Sequence, residues 1–223
     1  IPELEQTGVK MLINGPESFT PDDRFLLGES PELRGFFLGC GMCSVGIASG
    51  GGAGQALAEW IMDGEPSMDL WSVDIRRFVP AQNTLRTLRE RSPETLSLHY
   101  AVSFPGRQHQ SSRNLRLSPL HSRLESAGAE FAERMGWERP RWFNPENKPT
   151  APELSFEKPG WQSLHAEEHR AAREAVVLFD QSTFGKLLVQ GRDAESVLQR
   201  LCANDISKAD RRVVYTAMLN KHG

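Results

Sequence analysis

The apolar residues of this chain fall into short runs separated by turn signals. Gly8-Val9-Lys10-Met11-Leu12-Ile13 reads as a short strand closed by Asn14-Gly15, a strong turn dipeptide. Phe36-Phe37-Leu38 is a second apolar run, and it feeds a glycine-dense stretch, residues 39–54, that passes into a helix. In that helix Ala53, Leu57, Trp60 and Ile61 repeat at helical spacing, and Asp63-Gly64-Glu65-Pro66 supplies the stop. A charged stretch over residues 86–91 precedes Tyr100-Ala101-Val102-Ser103-Phe104 and a polar loop. Leu120, Leu124, Ala127, Phe131 and Met135 then mark one face of an amphipathic helix, with Pro119 where a helix start tolerates it. Farther on, residues 164–176 can form a helix, and Gly185-Lys186-Leu187-Leu188-Val189-Gln190-Gly191 is expected as a strand bracketed by glycines. Asp193 is placed to cap a helix whose Ala194, Val197, Leu198, Leu201 and Cys202 share one face. Val213-Val214-Tyr215-Thr216-Ala217-Met218-Leu219 reads as a last strand.

These elements group into a mixed α/β and α+β chain. Residues 1–78 read as the end of an α/β domain, 79–143 as a connector and 153–223 as the start of a new unit. Between the last two, residues 144–152 carry three prolines and few apolar groups, the composition of a linker. The chain starts at Ile1 without a Met, and its last strand is followed only by a short turn, so that strand lacks a pairing partner. The expectation is an internal fragment of a longer protein, with any targeting peptide lying upstream.

Composition narrows the function classes. Net charge is −3, from 26 basic and 29 acidic residues, which gives no electrostatic reason to expect nucleic acid or an anionic membrane as partner. No apolar run approaches the roughly 20 residues that cross a bilayer. Three cysteines do not make a disulfide framework and fit a reducing compartment, either cytosol or mitochondrial matrix.

Three motifs carry candidate chemistry. The glycine-dense stretch lets backbone approach a ligand closely, and the helix start after it offers unpaired N–H groups to an electronegative atom. Its glycines do not follow G-x-G-x-x-G, because position 44 is Ser, so spacing alone leaves cofactor contact and close helix-to-sheet packing both open. Cys40-Gly41-Met42-Cys43 fits C-x-x-C, but Cys202 cannot supply a second zinc pair, and the motif reads as small residues in a tight loop. His165-Ala166-Glu167-Glu168-His169 fits H-x-x-E-H, yet Arg170, Arg173 and Glu174 beside it mark a solvated helix face, so no metal is expected. Thr20-Pro21-Asp22 taken alone is a surface turn.

Taken together, several stretches resemble one family. Asn14-Gly15-Pro16-Glu17-Ser18-Phe19-Thr20-Pro21-Asp22, then Gly28-Glu29-Ser30-Pro31-Glu32-Leu33, the stretch 39–54 and Leu57-Ala58-Glu59-Trp60-Ile61 resemble the closing part of the flavin domain in sarcosine and dimethylglycine dehydrogenases. Gly136-Trp137-Glu138-Arg139-Pro140-Arg141-Trp142-Phe143 is similar to the signature that joins their flavin and folate halves. Phe179-Asp180-Gln181-Ser182-Thr183-Phe184-Gly185-Lys186 and Tyr215-Thr216-Ala217-Met218-Leu219-Asn220 resemble the opening of an aminomethyltransferase (GcvT-like) domain. The resemblance implies the C-terminal part of a FAD-binding, D-amino-acid-oxidase-like domain, a connector, and the start of a folate-binding domain. It implies two cofactors, FAD and tetrahydrofolate. In such enzymes FAD takes a hydride equivalent from the N-methyl group of a small amine, leaving an iminium, and the one-carbon unit passes to tetrahydrofolate. An electron acceptor such as electron-transfer flavoprotein is implied as partner, and the mitochondrial matrix or the bacterial cytoplasm as location. By position, Gly41, Cys43, Ser44, Val45, Gly46 and Ile47 are the expected flavin-binding residues, with backbone N–H groups and helix dipole facing the reduced ring. No catalytic side chain is identified. The family's G-x-G-x-x-G, its flavin-tethering His and the acidic residue of its folate domain do not occur in these residues, so the purified chain is expected to be colourless. The regulatory subunit of pyruvate dehydrogenase phosphatase shares the architecture, and Gly51-Gly52-Ala53-Gly54 with Leu57-Ala58-Glu59-Trp60 resembles it as well.

Overall fold

Helix α1, Gly46–Asp63, forms over the predicted spacing, and it turns Ala53, Ala56 and Trp60 inward at intervals of three and four residues. That face packs on a two-stranded antiparallel sheet, β1 (Leu26–Glu29) and β2 (Phe37–Cys40), in a register that sets Leu26 opposite Cys40 and Glu29 opposite Phe37. Leu27, Ala53 and Ala56 make a small core, with Phe25, Met42, Leu57, Leu70 and Val73 packed around it. Gly28, at φ +116°, lies so close to Trp60 that a Cβ there would stand 2.6 Å from the indole ring. No other residue lets this sheet seat on this helix. Gly64 closes α1 in the left-handed conformation, its N–H donating to the Trp60 carbonyl at 2.9 Å, as the Asp63-Gly64 signal predicts. Ile61 instead faces outward.

The computed structural model describes residues 2–148, 154–208 and 211–219, and the chain divides into two units, Ile1–Thr183 and Phe184–Gly223. The rest of the first unit is held by polar contacts more than by apolar area. Helix α2 (Leu85–His99) grows out of the charged stretch and is capped by Thr84, whose Oγ1 accepts the Thr87 N–H at 3.2 Å. Its buried residues are Thr87, Arg91 and Thr95. Arg91 reaches Glu133 at 2.7 Å and the Ser111 carbonyl at 2.6 Å.

The helix expected over residues 120–135 is shorter than its periodicity suggests. Helix α3 covers His121–Ser126, Gly128 at φ +84° breaks it, and β3 (Ala129–Arg134) follows, paired antiparallel with β4 (Trp137–Phe143). Met135 and Gly136, at φ +52° and +77°, make the turn between the strands, and two left-handed residues in succession suit the right-handed twist of a hairpin. Phe131 and Met135 therefore belong to the hairpin. The last strand is fixed from outside: Trp142 stacks on Trp161 at 5.0 Å with 11° between planes, Arg141 sits 4.5 Å over the Trp142 ring, and Glu168 accepts the Phe143 N–H at 2.7 Å. Trp161 caps, and Glu168 lies within, helix α4 (Gln162–Glu174), the helix expected over 164–176. Of the expected linker, residues 144–148 form a turn closed by Asn144 and Lys148, and 149–152 lie outside the described residues.

Three expected strands do not form among the described residues. Residues 8–13 pair with no strand, and Leu12 is 90% exposed. In the second unit, α5 (Ala194–Leu201) follows Asp193 as expected, although the Asp193 side chain makes no cap hydrogen bond. Residues 185–191 are not strand, and the run 213–219 reaches only one bridge, Cys202 opposite Met218, with the Ala203 N–H donating to the Ala217 carbonyl at 2.9 Å. An apolar run becomes a strand only where a neighbour takes its N–H and C=O groups. The described residues supply no such neighbour. The observed mixture of helices and small antiparallel sheets agrees with the mixed α/β and α+β expectation.

Candidate functional site

The loop between β2 and α1 is built on left-handed backbone. Gly41 stands at φ +62°, and the space its Cβ would need is taken by Thr20 Cγ2 at 2.8 Å. Cys43 and Ser44 follow at φ +46° and +64°, a conformation that costs non-glycine residues about 1 kcal/mol or more each. A set of hydrogen bonds holds them there. The Cys43 N–H donates to the Ser18 carbonyl at 3.1 Å, its thiol donates to the Gly41 carbonyl at 3.1 Å, and its sulfur accepts the Thr20 N–H at 3.4 Å. Thr20 is buried, and its hydroxyl donates to the Arg24 carbonyl at 2.8 Å while accepting the Arg24 N–H at 3.1 Å. Thr20-Pro21-Asp22 is thus no surface turn. It is the buttress under the glycine loop.

Arg77 ties that buttress to the rest of the unit. Its guanidinium donates to both Asp22 carboxylate oxygens, at 2.7 and 2.9 Å, and to the carbonyls of Arg24, Val73 and Asp74. On the other side of the loop, Ser44 donates to Glu17 at 2.7 Å and shares a 3.0 Å hydrogen bond with the Tyr100 hydroxyl. Beside Tyr100, His99 Nδ1 stands 2.9 Å from the Asp23 carboxylate. Nothing local in the sequence relates Ser44 to Tyr100, which lies at the end of α2; only the tertiary fold brings them together.

Val45 caps α1 without a side-chain hydrogen bond, so the first N–H groups of the helix have no capping side chain. Cys43 turns inward and is buried, Val45 is partly exposed and Ile47 is fully exposed. Gly41, Cys43, Ser44, Val45, Gly46 and Ile47 are therefore contiguous in space, and they present backbone together with the Ser44, Val45 and Ile47 side chains, with the Cys43 thiol withdrawn.

The glycines separate the two readings left open by their spacing. Gly39, Gly41 and Gly46 abut their own chain: a Cβ would meet Leu57 at 3.2 Å, Thr20 at 2.8 Å and Met42 at 3.1 Å. At Gly50, Gly51, Gly52 and Gly54 it would meet nothing within 4 Å. Each of these costs an α-helix roughly 0.5–1 kcal/mol relative to Ala. Among the described residues no packing requires them. Gly50, Gly51 and Gly54 share a helix face with Ile47, turned away from Ala53, Ala56 and Trp60. A bare helix face beside an uncapped N-terminus fits a flat, electron-accepting ring laid against backbone.

The other motifs are accounted for by structure. Cys40 is exposed and Cys43 buried, and both thiols are free. His165 and His169 form an edge-to-face series with Trp161, and Glu168 binds the β4 backbone. Among the described residues no group of three or more His, Cys, Asp or Glu is placed to hold a metal ion. No helix of the described residues is long and apolar enough to cross a membrane.

Comparison with known proteins places these features in sequence space. Residues 63–118 match the family described as FAD dependent oxidoreductase central domain, and residues 120–223 match the GCVT N-terminal domain. Mitochondrial sarcosine dehydrogenase of Mus musculus is 41% identical over 248 aligned residues, covering 100% of this chain and 27% of the relative. The formaldehyde-forming 4-methylaminobutanoate oxidase of Paenarthrobacter nicotinovorans is 43% identical, covering 99% of this chain and 27% of the relative. The mitochondrial regulatory subunit of pyruvate dehydrogenase phosphatase from Mus musculus is 41% identical, covering 100% of this chain and 26% of the relative. The chain thus spans about a quarter of the length of the curated relatives it matches.

Proposed function

Because the chain belongs to the family of FAD-dependent oxidoreductases joined to an aminomethyltransferase-like domain that includes sarcosine and dimethylglycine dehydrogenases, we propose that it is part of a flavoenzyme that oxidatively demethylates a small N-methyl amine and delivers the one-carbon unit to tetrahydrofolate. Within it, residues 1–78 close the flavin domain, 79–143 connect, 144–152 link, and 153–223 open the folate-binding domain. The observation that carries the reading is the bare face of α1: three glycines, Gly50, Gly51 and Gly54, that no contact among the described residues requires, next to a helix start with no capping side chain.

Gly41, Cys43, Ser44, Val45, Gly46 and Ile47 would hold the isoalloxazine. When bound, FAD supplies the hydride acceptor. The chain's own part is orientation and electrostatics. Partial positive charge at the start of α1 favours an anionic ring edge by about 0.3–1 kcal/mol at an exposed site, and more where water is excluded. Thr20 and Cys43 hold the left-handed turn that precedes the helix start, and Ile47 would offer exposed apolar surface to the ring. Electrons would leave to an acceptor such as electron-transfer flavoprotein, in the mitochondrial matrix of a eukaryote or the cytoplasm of a bacterium.

One substitution separates a structural from a cofactor role for these glycines. Gly51→Ala in this chain should raise stability by up to about 1 kcal/mol, read as a higher thermal midpoint, because its Cβ enters open space. In a form of the protein carrying a complete flavin-binding region, the same change should lower flavin retention, read from the yellow absorbance after gel filtration. Undiminished flavin in that variant would end the cradle assignment.

A second reading is a regulatory subunit without demethylase activity, favoured by the equal 41% identity to the phosphatase regulator and to sarcosine dehydrogenase. Amine-dependent dye reduction by the flavin-loaded protein decides between them. Reduction with sarcosine or dimethylglycine supports the enzyme; flavin binding with no reduction by any N-methyl amine tested supports the regulator.

A further inference from the structure

A cavity of about 370 Å³ in the first unit is lined by five arginines, Arg24, Arg77, Arg91, Arg107 and Arg134, against two carboxylates, Asp22 and Glu133. Arg77 is neutralised by Asp22 at 2.7 Å and Arg91 by Glu133 at 2.7 Å. Among the described residues Arg107 donates only to neutral acceptors, the Val102 and Leu98 carbonyls at 2.7 and 2.9 Å. Arg24 and Arg134 are exposed at the cavity, and among the described residues neither guanidinium meets a carboxylate. Five arginines against two carboxylates leave a net three positive charges among the lining residues.

The cavity also holds an unmet donor. The Arg91 side chain is 5% exposed, and its Nε–H is buried without an acceptor among the described residues. A buried donor left in that state costs about 1–3 kcal/mol. Such a group is relieved by an acceptor arriving from the cavity. His109, which also lines it, adds no charge at neutral pH: burial foremost, and then the neighbouring Arg91, hold its imidazole below the ordinary histidine range.

We infer that this cavity binds a compact small molecule carrying carboxylate or phosphate groups, with Arg24, Arg107 and Arg134 supplying the charge and Arg91 an interior donor. Guanidinium forks match both groups in geometry. The volume lies at the lower end of small-molecule sites, which selects a ligand of few heavy atoms. None of the residues from 41 to 47 lines the cavity, so the inference stands apart from the flavin reading and fails or survives independently of it.

Calorimetric titration of the 223-residue chain with inorganic phosphate, and separately with succinate, at low ionic strength tests it. Saturable one-site binding of either anion is expected, and the tighter of the two identifies the ligand chemistry. The double variant Arg24→Gln/Arg134→Gln, altering exposed side chains, should weaken that binding at least about tenfold, which is 1.4 kcal/mol. Arg86→Gln removes an exposed charge outside the cavity, paired with Glu90, and should leave binding unchanged. Absence of saturable binding for both anions, or an Arg86→Gln loss as large as that of the double variant, would overturn the inference.

Discussion

Replacing Arg113 with Ala is expected to destabilise the first unit by about 3–5 kcal/mol, the usual consequence of leaving one charge of a buried pair alone. Glu138 lies in β4 with a side chain only 1% exposed, and Arg113 meets it with Nε at 2.8 Å from Oε1 and Nη2 on Oε2. Burial by itself would raise the Glu138 carboxyl. The Arg113 hydrogen bonds, the Asn114 N–H at 2.8 Å and the Arg113 charge outweigh it and hold the group below the usual glutamate range. A carboxylate depressed in the folded state stabilises the protein fully above its unfolded value, about 4.3, and ceases to do so as pH falls through the lower folded value. In Arg113→Ala, burial loses its main opponent, the folded value moves above the unfolded one, and the sign reverses. The variant should gain stability on acidification from neutral pH toward 5, where the native chain gains none from this pair. Urea denaturation at the two pH values measures this; a variant whose midpoint does not rise on acidification relative to the native chain's would contradict the assignment.

The second large effect is expected at Arg77. Its five guanidinium N–H groups all have acceptors, two on Asp22 and three on the carbonyls of Arg24, Val73 and Asp74. Lysine keeps the charge but offers three donors on a point, so Arg77→Lys should lose nearly as much as Arg77→Ala, about 2–4 kcal/mol, because buried carbonyls are left unpaired in both. The consequence reaches the loop. Asp22 and Arg24 fix Thr20, and Thr20 fills the space under Gly41 and binds Cys43. Both variants should therefore loosen the turn at Cys43 and Ser44, read as faster amide exchange over residues 41–47. Native-like melting of Arg77→Lys would show that charge alone, without the fork, suffices.

The cradle and the buttress differ in how far the sequence announces them. Glycine density over residues 39–54 is visible in the letters, and so is the helix after it, since Ala53, Leu57 and Trp60 recur at its period. Which glycines pack and which stay bare is not visible. That division depends on Leu57, Met42 and Thr20 arriving beside Gly39, Gly46 and Gly41, and on nothing among the described residues arriving beside Gly50, Gly51, Gly52 or Gly54. The contact from Ser44 to Tyr100 spans 56 positions, and no periodicity relates residues so far apart.

The hairpin shows the same limit from the other side. Leu120, Leu124, Ala127 and Phe131 satisfy a helical period, yet Phe131 lies in β3, because Gly128 and the Met135-Gly136 turn adopt left-handed backbone and β4 is at hand to pair. The runs 8–13, 185–191 and 213–219 have strand-like apolar content and no partner among the described residues, so they remain unpaired or reach a single bridge.

Local propensity and punctuation, which act over a few residues, determined α1, α4, α5 and the stop at Gly64. Tertiary structure alone decided which apolar runs became strands, which glycines were left bare, and where the arginines gathered. The physical reason is that a helix closes its hydrogen bonds within itself, whereas a strand, a cradle and a charged cavity are each completed by groups distant in sequence.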